Sequence, residues 1–169
     1  MVPLIAFIGW HNSGKTTLAR QVVIHLRAKG YTVAVIKSTK ESGIAFDRPG
    51  SDTFRYQEAG ACGVALVAPD QLIVQRRPLV ESAASLPQLA NLLFPEVDLV
   101  VAEGFKHASV LKIEVRRDPL APLLRDQVTG VIAVAADPPL AGDNCFHLDQ
   151  VREIAELIER RLLLPRTRS

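Results

Sequence analysis

The chain has 169 residues, of which 48% are hydrophobic and 22% charged; that is too apolar for a disordered chain and too short for two full domains. Twenty Lys and Arg against eighteen Asp and Glu leave a net charge of +2, which disfavours a broad basic face for a phosphate backbone. An aromatic content of 5% leaves few stacking platforms for single-stranded nucleic acid, so no nucleic-acid partner is expected. Cys62 and Cys145 each lack a second thiol nearby, so no disulfide framework or Cys-x-x-Cys site is encoded and a cytoplasmic location is expected. No stretch approaches the roughly 18 apolar residues of a membrane span. The opening run has no positive leader and turns polar at His11 and Asn12, so neither an export signal nor a membrane partner is expected.

In chain order, Leu4 to Ile8 is rich in β-formers and stops at Gly9, which predicts a strand. Lys15 to Lys29 places Leu18, Val22 and Leu26 at helical spacing and ends at Gly30, which predicts a helix. Thr32 to Ile36 is a second strand, parallel to the first through a right-handed crossover. Ser38 to Asp52 is polar, carries Gly43, Pro49 and Gly50, and reads as a loop. A short helix is predicted over Thr53 to Ala61, then a hairpin of Val64 to Val67 and Leu72 to Gln75 turning at Pro69-Asp70. Ser85 and Pro87 open a helix through Leu93. Leu99 to Ala102 is apolar throughout, as in a strand buried on both faces. Lys112 to Arg116 alternates polar and apolar, which predicts a strand near an edge, and Val131 to Ala135 is again apolar. Asp149 is expected to cap a last helix with Val151, Ile154, Ala155, Ile158 and Leu162 on one face. The expected organisation is one α/β domain over 1–164 with a mostly parallel central sheet, a β-hairpin extension, and a frayed tail over 165–169.

Gly9-Trp10-His11-Asn12-Ser13-Gly14-Lys15-Thr16 matches G-x-x-x-x-G-K-[ST] between a predicted strand and a predicted helix, the context in which this sequence cradles phosphate. The residue frequencies of the chain give roughly 0.002 chance matches over its length, so the motif is read as functional. Gly9 and Gly14 let the backbone wrap with N–H groups inward, and the helix N-terminus adds positive potential. Lys15 would reach the β and γ phosphates and the Thr16 hydroxyl would ligate Mg²⁺. Thr17 would add an α-phosphate contact, and Ser13, Asn12 and His11 complete the loop, His11 as a solvent-facing filler rather than a base. A P-loop NTPase three-layer fold follows.

Such a loop needs an acid on a neighbouring strand. Glu103 ends an apolar strand at the carboxyl edge, where ligands sit in open α/β sheets, and is the expected metal or water contact. Asp98, at the start of that strand, belongs to the opposite end and reads as a solvated entry residue. The loop after the second strand offers Lys37, Asp47, Asp52 and Arg55 as γ-phosphate sensors; Asp47 is favoured for water positioning or metal binding. No Asn-Lys-x-Asp element for guanine is present, but Asp137 follows an apolar strand and could accept hydrogen bonds from a guanine edge. His25, His107 and His147 show no ligand spacing.

Gly9 to Thr17, Asp47-Arg48-Pro49-Gly50-Ser51-Asp52-Thr53-Phe54-Arg55, Glu58-Ala59-Gly60-Ala61, Glu103-Gly104-Phe105-Lys106 and Lys112-Ile113-Glu114-Val115-Arg116 together resemble the molybdopterin-guanine dinucleotide biosynthesis adaptor proteins, the MobB family, over most of the chain. The resemblance implies a GTP-binding homodimer with at most slow hydrolysis. Such a protein assists the enzyme that attaches GMP to molybdopterin in molybdenum cofactor biosynthesis, and the partners it implies are that enzyme and the molybdopterin cofactor. By position, Asn12 to Thr17 would hold phosphate and Mg²⁺, Glu103 would sit opposite, and Asp47 with Asp52 would belong to a nucleotide-facing or partner-facing loop. Two positions depart from the family pattern: Ser38 replaces a histidine after Lys37, and Ser51 replaces a lysine between Pro-Gly and Asp. The competing enzyme reading is a small-molecule kinase in which Arg116, Arg117 and Arg125 form a phosphate-clamping lid. A third reading is a binding protein that uses the fold without triphosphate.

Overall fold

The computed structural model describes residues 1–44, 47–76 and 85–163; the tail expected over 165–169 lies outside them. The elements in chain order are β1 (Leu4–Ile8), α1 (Lys15–Ala28), β2 (Val33–Lys37), α2 (Asp52–Glu58), β3 (Gly63–Val67), β4 (Leu72–Arg76) and α3 (Leu86–Leu93). There follow β5 (Leu99–Glu103), β6 (Leu111–Arg116), β7 (Val131–Ala136), β8 (Cys145–His147) and α4 (Val151–Leu162). They divide into two compact units, Met1–Thr39 with Ala84–Ser169, and Lys40–Ala83.

The first unit is built on a six-stranded sheet in the order β2-β5-β1-β6-β7-β8, with every neighbouring pair parallel. Alternate residues of β1 divide between two faces. Ile5 and Phe7 pack with Leu18, Val22 and Leu26 of α1 and Ile154 and Ile158 of α4. Leu4, Ala6 and Ile8 pack with Leu86 and Ala90 of α3 and with Leu124. Covering both faces requires apolar residues at every position, which is why β1 and β5 read as continuous hydrophobic runs. The result is the expected three-layer α/β fold.

The second unit holds α2 and the antiparallel hairpin β3–β4, in which Val67 faces Leu72 and Gly63 faces Arg76. Ser51 is the N-cap of α2, its Oγ accepting from Phe54 N at 3.2 Å. A serine at this position thus supplies the start of the helix with its cap.

Three expectations are corrected. β6 lies between β1 and β7 rather than near an edge, because the polar half of its alternation is buried with partners. Lys112 is 1% exposed and donates from Nζ to Val110 O and Thr129 O; Glu114 is equally buried and accepts from Leu124 N and Arg125 N. The first residue of α4 follows Gln150, not Asp149, because the Asp149 carboxylate is engaged by His147. Asp98 is not merely solvated: its Oδ2 accepts from Thr32 N and Thr32 Oγ1, both at 2.7 Å, which ties the amino ends of β5 and β2 together. The short strand β8 and the 3-10 turn Leu124–Asp126 were not anticipated.

Candidate functional site: the loop after β1 and its neighbours

Because the strands are parallel, the loops leaving β1, β2, β5, β6, β7 and β8 all emerge at one edge of the sheet. Two glycines make the loop after β1 possible. A Cβ on Gly9 would stand 2.3 Å from Val115 O and 2.5 Å from Ser13 Oγ, distances no side chain tolerates. Gly14 has φ +92°, the left-handed region, and Asn12 also turns left-handed at φ 58°. Gly14 then caps α1, whose first turn carries no acidic residue, so the positive end of its dipole is uncompensated by the helix itself.

Lys15 returns over the loop, its Nζ donating to Trp10 O at 2.7 Å and lying 3.4 Å from Ser13 Oγ. Burial holds its ammonium below the ordinary lysine value, a trend opposed by Glu103 and reinforced by Lys37. Thr16 Oγ1 donates to Glu103 Oε1 at 2.7 Å, and Lys37 Nζ lies 3.3 Å from the same oxygen. Residues from α1, β5 and β2 thus meet at one carboxylate, itself almost buried.

The turn after β5 explains the Glu-Gly-Phe-Lys sequence. A Cβ on Gly104 would stand 2.2 Å from Ser38 Oγ, and Gly104 and Phe105 both have positive φ. Ser38 N donates to Glu103 O at 3.0 Å, and the small Ser38 side chain packs on that glycine. Lys106 Nζ lies 5.3 Å from the centre of the Trp10 ring, a cation–π contact, and Trp10 Nε1 donates to Pro122 O at 2.9 Å.

The other predicted positions divide. Ser13 is buried, whereas His11 and Thr17 are exposed. Asp47 belongs to the second unit. Its Oδ1 accepts from Arg48 N and its Oδ2 from the hydroxyls of Ser51 and Thr53. The Ser51 and Arg48 bonds hold its carboxyl below the usual range. Asp52 makes an ion pair with Arg55 at 3.7 Å. Asp137, at the carboxyl end of β7, donates from its N to Arg116 O; its Oδ1 is 3.4 Å from His147 Nε2. His147 also meets Asp149 through Nδ1, and these two acids raise its pKa. The sequence shows no ligand spacing at His147, because its partners come from the turn after β7 and from the turn before α4 rather than from a periodic element. The three arginines of the imagined lid have separate neighbours: Arg116 donates to Pro119 O, Arg117 lies against Gly14, and Arg125 lies near Asp126 and Cys145.

The donor set suits the groups the motif implies. A glycine-built turn at a helix start accommodates phosphate oxygens. A hydroxyl and one carboxylate are hard oxygen ligands of the kind Mg²⁺ uses when phosphates and water complete its shell. Among the described residues there is no group of three or more His, Cys, Asp or Glu able to hold a metal, and no helix is long and apolar enough to cross a membrane.

An all-parallel sheet whose first strand runs through Gly-x-x-x-x-Gly-Lys-Thr into a helix, with an acid from the adjacent strand on the motif threonine, defines an α/β protein of the P-loop class. Residues 4–137 match the family model described as MobB, molybdopterin guanine dinucleotide synthesis protein B, and the chain belongs to that family. It is 34% identical over 162 residues to the molybdopterin-guanine dinucleotide biosynthesis adapter protein of Escherichia coli (strain K12), covering 94% of this chain and 92% of that one. The Haemophilus influenzae protein of the same name is 31% identical over 160 residues, covering 94% and 88%. A crystal structure of molybdopterin-guanine biosynthesis protein B superposes with a TM-score of 0.74 at 28% identity, covering 93% of this chain and 98% of that one.

Proposed function

We propose that this protein binds GTP with Mg²⁺ on the Gly9–Thr16 loop and acts as an adaptor in molybdopterin guanine dinucleotide biosynthesis, assisting the enzyme that joins GMP to molybdopterin. The observation that carries the nucleotide half is the 2.7 Å contact between Thr16 Oγ1 and Glu103 Oε1, made beside the glycine cradle. The biosynthetic half is supported by family membership and by the adapter names of its relatives.

In this reading the loop backbone and Lys15 bind the phosphates, and Thr16 and Glu103 would hold the metal. Bound Mg²⁺ supplies charge neutralisation of the phosphate oxygens. Lys37 offsets the charge of Glu103, and Asp137 accepts from the guanine edge. Hydrolysis is at most slow, and the GMP transfer belongs to the partner enzyme. A kinase is not favoured, because the three lid arginines do not converge. The deciding experiment is a melting series with Mg-GTP, Mg-ATP and Lys15→Ala: a ligand at a hundredfold excess over Kd stabilises by about 2.7 kcal/mol. Stabilisation by GTP, lost in the variant, is the expected result; no shift with either triphosphate would overturn the reading.

A homodimer is part of the same proposal. Val67, Leu72 and Val74 of the hairpin are 78%, 65% and 58% exposed, and a two-stranded sheet leaves pairable edges. Light scattering is expected to give twice the chain mass of 18.4 kDa at micromolar concentration; a monomer would reject the dimer.

A further inference from the structure

β6 runs beside β1, so the residues that follow β6 arrive next to the loop that follows β1. The approach is close enough that Val115 O fills the space a Gly9 side chain would need. Two residues on, Arg117 lies against the second glycine: its Nε and Cζ are 3.2 and 3.3 Å from where a Cβ on Gly14 would be. The segment behind it is fastened. Leu120 N donates to Asp118 Oδ1 at 2.9 Å, Arg116 donates to Pro119 O, and Pro122 O receives the Trp10 indole. Arg117 itself is exposed and makes no hydrogen bond or ion pair among the described residues.

This is an unfavourable place for a bare cation. Gly14 is the N-cap of α1, and no acid in the first turn offsets the helix dipole; positive charge is destabilising at that end, whereas an anion is favoured. Lys15 and Lys37 already stand nearby, with Glu103 between them. An anion on the loop would be attracted by the helix end and by each of these cations, offsetting their mutual repulsion.

We propose that Arg117 is a phosphate-binding residue of this site, its guanidinium contacting the β-phosphate of the nucleotide. The proposal rests on the nucleotide reading above. The backbone of such a loop cradles the α and β phosphates while its lysine reaches β and γ. A side chain seated on Gly14 therefore addresses the β position. Arginine suits the task because its planar fork matches phosphate oxygens, and bonds between ionised groups are roughly twice as strong as neutral ones.

The test is the dissociation constant of Mg-GDP and Mg-GTP, measured by calorimetry, for the unmodified chain, Arg117→Gln and Arg117→Lys, with the melting temperature of each unliganded protein. The expected result is a loss of about tenfold or more for both nucleotides in Arg117→Gln. Part of it should return in Arg117→Lys, with no fall in unliganded melting temperature. Nucleotide affinities within twofold of the unmodified chain would overturn the proposal and leave the nucleotide reading standing. A loss confined to GTP would overturn the β-phosphate placement, and a lowered unliganded melting temperature with no recovery in Arg117→Lys would mark a structural role instead. If the unmodified chain binds neither nucleotide, both readings fall together.

Discussion

Two glutamates flank β1 at almost the same height, Glu103 of β5 opposite Phe7 and Glu114 of β6 opposite Ile8, and both are buried or nearly so. Their partners separate them. Glu114 accepts from two backbone amides, Leu124 N at 2.8 Å and Arg125 N at 2.9 Å, groups that cannot move without unfolding the 3-10 turn. Glu103 meets a side-chain hydroxyl and a lysine whose side chain is 58% exposed, partners that can exchange for a cation or water. A buried carboxylate is therefore structural or functional according to whether its donors belong to the main chain or to side chains at a strand end.

The sharpest break of this comparison is Glu114→Ala. It leaves the buried Leu124 amide and the part-buried Arg125 amide without an acceptor, and at about 1–3 kcal/mol for each unsatisfied group the expected loss is about 2–6 kcal/mol of folding stability. Urea unfolding of the variant measures it. A loss under about 0.5 kcal/mol would mean that Glu114 is no more a structural residue than an ordinary surface position.

Lys15→Ala should do the reverse. The ammonium sits on Trp10 O and burial already disfavours its charge, so the fold gains little from it. Phosphate should lose its main point charge. A hundredfold weaker Kd for Mg-GTP, about 2.7 kcal/mol, with unchanged urea unfolding is expected. A variant that unfolds earlier but binds normally would exchange the roles assigned to the two regions.

The same contrast marks what the sequence makes legible. The glycine loop, the apolar strands and the acid at Glu103 are written in local residue types, because a strand covered on both faces must be apolar and a tight loop must be glycine. The place of β6 is not so written: Lys112 and Glu114 alternate with apolar residues as an edge strand would, and only the carbonyls of Val110 and Thr129 and the amides of Leu124 and Arg125 make them interior. Hydrogen-bond partners drawn from a distant turn leave no trace in periodicity. For a related reason the sequence offers Arg117 only as one of three lid arginines and His147 only as a histidine without ligand spacing: Gly14 and Asp137 come to lie beside them only in the folded protein.

Glu103→Gln tests the functional half of the pair more finely. The amide keeps an oxygen for Thr16 but removes the charge, so folding stability should change by less than about 1 kcal/mol, as for an ion pair with an exposed partner. Affinity for GTP should lose most of its dependence on magnesium, with a decrease of about tenfold in the presence of the metal. Magnesium titrations at fixed GTP decide it; an undiminished dependence would remove Glu103 from the metal site.

The smallest effect concerns His147, where the same carboxyl edge carries a titrating group. Asp149 first, and Asp137 after it, raise the imidazole pKa above its ordinary value of 6.5, so the folded protein holds the proton more tightly than the unfolded chain. The resulting stabilisation is complete below 6.5 and is lost as pH rises through the folded value. His147→Ala should therefore lower the melting temperature slightly at pH 5.5 and have a smaller effect at pH 8.5. A difference that grows with pH would require the neutral ring to be the stabilising form, contrary to its placement between two carboxylates.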